Sequence, residues 1–304
     1  MNTQANLRTI VRGAYDIQKL RIQMGNRIVG NFKAKLGQAP SEKEETMDAE
    51  AKALLADLRR RFKKLTDGVS TFPRQKGFKG DEVISTYTEL CLLAQYISLE
   101  ESEKSHFKRL GTILKEYPIF TEFLDGVKGV GPAMAGVLVS EIDIHKAQYP
   151  SSLWRYAGLD IGPDNHGRSR RKEHLVTVEY TDRDDKPAER QSITFNPFLK
   201  TKLMGVLASS FLRAGLDNNP YAAAYYDRKL RLESHAVYGV LNDGKKDDDG
   251  RIIASKLRRH NQAMRVMVKQ FLVDLYVAWR TLEELPVSAP YHEAKLGHLH
   301  EKIA

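Results

Sequence analysis

Apolar residues recur every three or four positions through the first third of this 304-residue chain, and this spacing constrains the fold more than any other feature. Residues at that spacing share one face of an α-helix. The first stripe covers residues 7–32, and Gly37 and Pro40 follow it, which predicts the end of a helix. Ser41 and Glu44 have the spacing of a capping box, which predicts the start of a second helix.

Three further apolar stripes complete this helical segment. They cover residues 47–65, 83–97 and 107–114, with a loop rich in Gly, Pro and Lys between the first two. Each stripe has the period of an amphipathic helix. We therefore expect a helical, coiled-coil-like arm over residues 1–118.

The pattern changes after residue 118, where residues 119–285 predict a second domain built from shorter elements. A run with alternating apolar residues, 175–180, has the period of a β-strand. Residues 191–195 have a similar character, and the polar residues between the two runs suit a turn. We therefore expect a small β-hairpin within this domain.

Helices dominate the rest of the second domain. Asn196-Pro197 and Asn219-Pro220 each predict a helix start, because Asn caps helices and Pro fits the first helical position. A last long helix carries apolar and basic residues from Ile252 onwards. Residues 286–304 predict a solvated tail. The sequence as a whole predicts a mainly α fold with one small β-hairpin.

Positive charge is concentrated in three blocks. The chain carries 48 Lys and Arg against 39 Asp and Glu, and its pI is near 9.4. Basic residues outnumber acidic ones by seven to one over residues 8–35, eight to one over 59–79 and seven to one over 251–280. Such blocks favour a nucleic-acid partner, because cations that neutralise phosphates release counterions. The alternative is that each block is a solvated helix face.

The segment 126–132 places three glycines directly before an apolar run. A Gly-x-Gly turn that opens a helix leaves backbone N–H groups free to bind a phosphate oxygen, and glycine permits close approach. We interpret the segment as a helix-hairpin-helix element, which contacts the nucleic-acid backbone independently of sequence, through Lys128, Gly129, Val130 and Gly131. The alternative is an ordinary tight turn between two helices.

A wider pattern surrounds this turn. It comprises Gly129-Val130-Gly131-Pro132, an apolar helix ending in Ser140-Glu141-Ile142, the stretch Leu153-Trp154-Arg155-Tyr156-Ala157-Gly158-Leu159, a basic loop and the two Asn-Pro helices. This order resembles the C-terminal transposase domain of the Piv-type transposases, the insertion sequence one-ten family, to which bridge-RNA recombinases belong. The resemblance covers roughly residues 121–285. Its most specific part is Tyr156-Ala157-Gly158-Leu159.

The resemblance implies a role in DNA transposition by site-specific recombination. It implies DNA and a structured guide RNA as partners, and we expect a homo-oligomer. Family members carry an N-terminal RuvC-like domain with four acidic residues that bind a divalent metal. Residues 1–115 contain no β-rich segment with such carboxylates, so we expect this chain to bind no metal or other cofactor. A divalent metal is expected only where a separate RuvC-like chain supplies its ligands.

The family also places a nucleophilic serine before a glycine in the loop after Ala-Gly-Leu. Here His166 precedes Gly167 at that place. Ser169 is the candidate nucleophile of this chain, on condition that the loop is re-registered. A serine nucleophile needs an activating base, which the sequence does not identify. The alternative is a loop serine without a catalytic role.

The candidate nucleic-acid-binding residues come from the turn, the basic loop and the helical blocks. The loop cluster at 168–172 is the densest of these in the matched domain. Arginine suits phosphate because its guanidinium offers paired hydrogen-bond donors. The full predicted set is Lys128, Gly129, Val130, Gly131, Arg155, Arg168, Arg170, Arg171, Lys172, Arg258, Arg259, Arg21 and Arg27.

Three hypotheses for the function stay open. The chain is an active recombinase subunit that uses a loop serine, or a non-catalytic DNA- or RNA-binding regulator derived from one. The third hypothesis is a helical structural or oligomerisation adaptor, whose basic stripes are solvated.

Further features of the sequence concern disulfides, zinc sites and cellular location. The single cysteine, Cys91, excludes an intramolecular disulfide and a Cys-based zinc site. The first residues lack an apolar signal segment, and no stretch approaches the ~20 apolar residues of a membrane span. We expect a cytoplasmic, nucleoid-associated protein of a bacterium or archaeon, without a membrane partner.

Overall fold

The computed structural model describes residues 3–39, 47–68, 72–162, 164, 166–247 and 250–288. Most of these residues are helical, and two strands form the one sheet in the described part, which confirms a mainly α fold with a small β-hairpin. Contacts divide the chain into two units. We name residues 9–110 the arm unit, and residues 1–8 with 111–304 the C-terminal unit. Most of the predicted tail, from residue 289 onwards, lies outside the described residues.

Three long helices supply the arm unit: α1 (Thr3–Lys35), α2 (Ala49–Thr66) and α3 (Tyr87–Leu114). The apolar stripes predicted from the sequence face each other within it, and burying them removes apolar surface from water. The buried cluster comprises Ile28, Val29, Phe32, Ala51, Leu55, Leu58, Val83, Ile84, Leu90, Leu93 and Tyr96.

The start of α2 differs from the sequence prediction. Its cap is Asp48, whose carboxylate accepts the N–H of Ala51 at 2.6 Å. The predicted capping box of Ser41 and Glu44 lies outside the described residues. An aspartate immediately before the first helical residue, Ala49, supplies the same acceptor that a capping serine would.

The third and fourth stripes form one helix, α3, where the sequence predicts two. Val83 and Ile84 precede that helix instead of belonging to it. They lie in a loop where the Asp81 carboxylate accepts their N–H groups at 2.9 and 2.6 Å. No helix-breaking residue separates the last two stripes, so the helix continues between them.

The C-terminal unit alternates short helices with loops before a long final helix. After the end of α3 its elements are α4 (Pro118–Glu122), α5 (Pro132–Glu141), α6 (Pro150–Tyr156), β1 (Val176–Thr181), β2 (Pro187–Ser192), α7 (Pro197–Thr201), α8 (Ala208–Ala214), α9 (Tyr221–Glu233) and α10 (Lys256–Leu282). A π-helical segment, Lys202–Leu207, joins α7 to α8. Helix α5 is buried almost throughout, which explains its continuous apolar sequence.

An aromatic cluster connects the helices of this unit. The Phe271 ring of α10 meets the Phe211 and Tyr221 rings edge-on, with centroids 5.4 and 5.5 Å apart. Phe211 and Tyr221 stack at 5.3 Å. The cluster fixes α10 against α8 and α9. The opposite face of α10 is thereby directed away from the cluster.

The β-hairpin forms, but its second strand is shifted from the predicted 191–195. Val176 pairs with Ser192 and Thr181 with Pro187. The turn is shorter than predicted because the Asp182 carboxylate accepts the N–H groups of Asp184 and Lys186, at 2.8 and 2.9 Å. Every residue of β1 is exposed, so no core contact fixes the register.

Both Asn-Pro predictions are confirmed. Asn196 accepts the N–H of Leu199 at 3.0 Å at the start of α7, and Asn219 accepts the N–H of Tyr221 at 2.9 Å at the start of α9. The prediction that the last helix includes Ile252 is wrong, since α10 begins at Lys256. In the described part of the chain, no helix has the length and apolar character needed to cross a membrane.

Candidate functional site

A cleft of about 830 Å³ opens in the C-terminal unit. Its walls come from the loop after α6, from α9, from the segment before α10 and from the first half of α10. Six cationic side chains line it: Arg171, Arg228, Arg251, Arg258, Arg265 and Lys269. Such a density of positive charge in a concave surface favours an anionic ligand.

Helix α10 aligns half of these cations. Its first turn is capped by Ser255, whose hydroxyl accepts the N–H of Arg258 at 3.1 Å. Arg258, Arg265 and Lys269 follow at seven- and four-residue spacing, which places them on one face. Phe271 and its neighbours occupy the buried face. The amphipathic pattern of the helix therefore determines where its basic side chains lie.

Three of the cleft cations make no ion pair with any described residue. In the described part of the chain, the side chains of Arg228, Arg265 and Lys269 make no hydrogen bond and no ion pair, and the Nε atoms of both arginines are buried without a partner. The Lys269 ammonium lies 4.8 Å from the centroid of the Trp154 ring. Burial lowers the pKa of Arg265, and it lowers the pKa of Lys269 together with the charge of Arg265. A bound anion would offset this cost of burying like charges.

Asp160 is the carboxylate close to these cations. Its Oδ2 accepts the Nε and Nη2 groups of Arg168 at 3.1 and 2.7 Å, and its Oδ1 is buried without a partner. Lys200 donates to the carbonyl of Arg168, and burial, with the charge of Arg265 adding to it, lowers the pKa of Lys200 to about 8. Arg168 is thus held by an ion pair, and one carboxylate faces several cations.

Ser169 lies in the same loop, within a chain of hydrogen-bonded side chains. Its hydroxyl lies 3.0 Å from His174 Nδ1, and His174 Nε2 lies 2.9 Å from Asp164 Oδ1. The Ser169 N–H also donates to Nδ1, so we assign the ring proton to Nε2, which donates to Asp164. Burial raises the pKa of Asp164, but hydrogen bonds from His174 and the His166 N–H outweigh it and lower the pKa to about 2.

This cluster has the order of nucleophile, base and orienting carboxylate that activates serine hydroxyls. His174 is fully buried, and Gly162 leaves room for its ring, because a Cβ at that position would overlap Nε2. Sequence reasoning selected Ser169 but missed His174 and Asp164. Their spacing matches no known motif, and only the loop conformation brings them together.

His166 occupies the wall of the cleft. Its Nδ1 lies 2.7 Å from the Asp164 carbonyl, and its Nε2 lies 3.4 Å from Nη1 of Arg258. His166 therefore faces the basic cleft, whereas Ser169 does not line it.

The glycine-rich turn lies between a 3₁₀ turn, Leu124–Gly126, and α5. Gly129 has φ +96°, and a Cβ there would lie 2.9 Å from the Phe211 ring. The Asn219 amide donates to the Lys128 carbonyl at 2.6 Å. Packing therefore explains Gly129 without a ligand, as in an ordinary tight turn.

Two features of this turn bear on the predicted phosphate contacts. Val130 is buried and its N–H donates to Val127, at 3.0 Å, so the prediction that Val130 contacts nucleic acid is not supported. Gly131 is exposed, and its N–H has no acceptor in the described residues. Lys128 is exposed as well. The contacts predicted for Lys128, Gly129 and Gly131 stay predictions.

The remaining predicted residues are dispersed. Arg155, Arg170 and Lys172 are exposed on the C-terminal unit, and Arg171 donates to Asp164 Oδ2 at 3.3 Å on the cleft wall. Arg259 was predicted to contact nucleic acid. It is only 4 % exposed, and Asp243 accepts its two terminal nitrogens at 2.6 and 2.9 Å. Three of its five N–H donors are occupied, the third by the Tyr238 carbonyl at 3.1 Å, so its burial does not favour the predicted contact.

Arg21 and Arg27 belong to the arm unit. Arg21 donates to Glu103 and, at 3.2 Å, to the Tyr96 hydroxyl. Arg27 is exposed. In contrast, sequence reasoning did not select Arg228, Arg251, Arg265 or Lys269, the cations that meet in the cleft. Three of these lie in the basic block 251–280, and membership of that block was the only sign of them in the sequence.

Within the described residues, no group of three or more His, Cys, Asp or Glu side chains is placed to hold a metal ion. Comparison with protein-family models, with curated proteins and with solved structures finds no match to this chain.

Proposed function

We propose that the C-terminal unit binds nucleic acid through its phosphodiester backbone, as part of a transposase-type recombination system. The observation that carries the proposal is the cleft in which the side chains of Arg228, Arg265 and Lys269 make neither a hydrogen bond nor an ion pair among the described residues. Partly buried cations without counter-ions are costly, and a phosphate group supplies the missing charge. The recombination setting rests on the motif resemblance around residues 121–285 alone.

Salt dependence tests the binding. Each phosphate neutralised by the protein contributes a slope of about −0.9 to a plot of log affinity against log salt for duplex DNA, and about −0.7 for single strands. We expect a slope that corresponds to several phosphates. Affinity that does not change with salt would contradict the proposal and favour the structural adaptor.

A matched pair on α9 locates the surface. Arg228→Ala removes a cleft cation without a partner, whereas Arg231→Ala removes an exposed cation paired with Asp227. Arg228→Ala is expected to weaken binding about tenfold and to reduce the salt slope by about 1. Arg231→Ala is expected to leave both nearly unchanged. Equal effects of the two variants would show that binding depends on net charge and not on the cleft.

A second candidate function is strand transfer by Ser169, which the 3.0 Å and 2.9 Å contacts of the Ser169–His174–Asp164 chain favour. In this reaction Ser169 Oγ forms a bond to phosphorus while the bond from phosphorus to the leaving oxygen breaks. The hydroxyl proton passes to His174 Nδ1, which must first release the Ser169 N–H because it has a single lone pair, and from there to the leaving oxygen. The non-catalytic regulator retains the same cleft without this step.

The covalent phosphoserine distinguishes these versions. A DNA substrate whose leaving strand diffuses away traps the adduct, which is visible as a protein–DNA band under denaturing conditions. Ser169→Ala is expected to abolish the band, and Ser192→Ala in β2 serves as the control. A band that persists in Ser169→Ala would exclude this serine, and no band with any substrate would favour the regulator.

A further inference from the structure

The cleft contains apolar side chains that a phosphate-binding surface does not need. Ile161, Ile252 and Leu257 line it and are 57 %, 50 % and 67 % exposed. Exposed aliphatic groups gain from contact with an apolar surface of a ligand. Because they stand among the arginines, the ligand that fits best combines an anionic part with an apolar part.

Two side-chain amides lie beside this apolar wall. Asn261 and Gln262 line the cleft from α10, and neither makes a side-chain hydrogen bond within the described residues. They fall on the same helix face as Leu257, Arg258 and Arg265, by their three- and four-residue spacing. Primary amides offer a donor and an acceptor together, which matches the edge of a nucleobase.

The apolar wall of the cleft does not match the bases of a stacked duplex. Bases in a duplex are covered on both faces by their neighbours, so they have no apolar face to offer a protein pocket. A nucleotide of a single strand, or one turned out of a duplex, presents both its base and its phosphate. The volume of about 830 Å³ lies within the range of ligand-binding pockets.

We propose that the cleft holds an unstacked nucleotide, with its phosphate on Arg228, Arg265 and Lys269 and its base against Leu257, Ile252 and the Asn261 and Gln262 amides. The inference rests on the proposed nucleic-acid function and names the state of the nucleic acid that the cleft accepts. It assigns base contacts to residues outside the glycine-rich turn and outside the basic loop.

A comparison of intact and abasic single strands tests this inference. A short oligothymidine and an abasic oligomer of the same length carry the same phosphates but differ in their bases. We expect the protein to bind the intact strand about tenfold more tightly, as for base contacts in other single-strand sites. It should also prefer the intact strand to a duplex of that length. Fluorescence anisotropy at one fixed salt concentration measures all three.

Variants then locate the base contact. Leu257→Ser and Asn261→Ala are expected to remove the preference for intact strands while they leave binding of the abasic strand unchanged. Leu241→Ser is the control, since Leu241 is 98 % exposed and lies outside the cleft lining. Leu257 is exposed, so its replacement leaves the core intact.

The outcomes separate this inference from the proposed function. Equal, salt-dependent binding of intact and abasic strands would overturn the unstacked nucleotide but keep the phosphate site. A preference that persists in Leu257→Ser and Asn261→Ala would place the base elsewhere and also overturn it. Binding of neither strand would remove the proposed function itself. Displacement of the oligonucleotide by phosphatidylglycerol vesicles, but not by neutral vesicles, would assign the cleft to a lipid instead.

Discussion

The arm unit and the C-terminal unit both contain long basic blocks, but they differ in how their partly buried cations are compensated. In the arm unit, Arg21 donates to Glu103 and Arg59 to Glu100, and both arginines also bond the Tyr96 hydroxyl. Lys35 contacts Glu89 at 2.8 Å. In the cleft of the C-terminal unit, three cations have no such partner among the described residues.

The difference shows that a basic block in a sequence does not define a binding surface. A block becomes structural where neighbouring helices present carboxylates at matching heights, as α3 does toward α1 and α2 in the arm unit. It stays available for a ligand where they do not. Partner carboxylates lie far away in the sequence, so counting charges within a block cannot separate the two cases.

The largest effect is expected from a substitution that removes the ion-pair partner of an arginine in the arm unit. Glu103→Ala leaves Arg21 without its carboxylate in a largely buried position and is expected to destabilise the protein by about 3 kcal/mol. Urea unfolding measures the change. Glu101→Ala, at an exposed position of the same helix, is the control and should fall within about 0.5 kcal/mol of the parent. Equal effects at both positions would contradict the structural role of the pair.

An intermediate effect is expected where the C-terminal unit does pair its charges, at Asp164. Asp164→Asn weakens the contacts to His174, Arg171 and Arg251, and we expect a loss of about 1–2 kcal/mol at pH 7. Hydrogen bonds lower the pKa of Asp164 to about 2 in the folded state, from the ordinary value of 3.8. Its stabilising contribution is therefore complete only above about pH 5, where the carboxyl is ionised in the unfolded chain as well, and it is lost as the pH falls through about 2.

Urea unfolding of the parent and of Asp164→Asn between pH 2 and pH 7 measures this dependence. The difference in unfolding free energy between the parent and Asp164→Asn should shrink as the pH falls from about 5 to 2. Asp184→Asn in the hairpin turn should differ little from the parent at any pH. A constant difference for Asp164→Asn would mean that the carboxylate charge is not what stabilises the loop.

The smallest effect has the opposite sign. Arg265→Met removes a partly buried cation that lies near other cations and lacks a partner among the described residues, so the protein without ligand should gain about 1 kcal/mol. Arg231→Met should stay within about 0.5 kcal/mol. An added polyanion should reverse the order by stabilising the parent more than Arg265→Met. A clear loss of stability in Arg265→Met without ligand would mean that the cleft cations are compensated after all.

Local signals in the sequence predicted many elements correctly. The Asn196 and Asn219 caps and most helical stripes depend on residues within a few positions of each other, which a sequence displays directly. The bounds predicted for the second strand, 191–195, were wrong because every residue of β1 is exposed, so the apolar alternation of β1 faces no core that would position its partner.

The site was harder to predict for a geometric reason. His166 and Arg258 meet at 3.4 Å although 92 positions separate them, and no periodicity links a loop residue to a helix so distant. The Ser169–His174 contact is local, but it depends on a loop conformation that no standard turn signal encodes. Arg259 illustrates the converse difficulty, since its neighbour Arg258 lines the cleft while Arg259 itself is buried against Asp243.

The exposed β-hairpin has a practical consequence for anyone who works with this chain. Its turn is closed by the Asp182 carboxylate, and the whole of β1 is solvated, so the residues at its tip take no part in the core. A fluorophore or an affinity peptide attached at Asp184 would extend into solvent. The hairpin tip is therefore a suitable attachment site for immobilisation and single-molecule measurement.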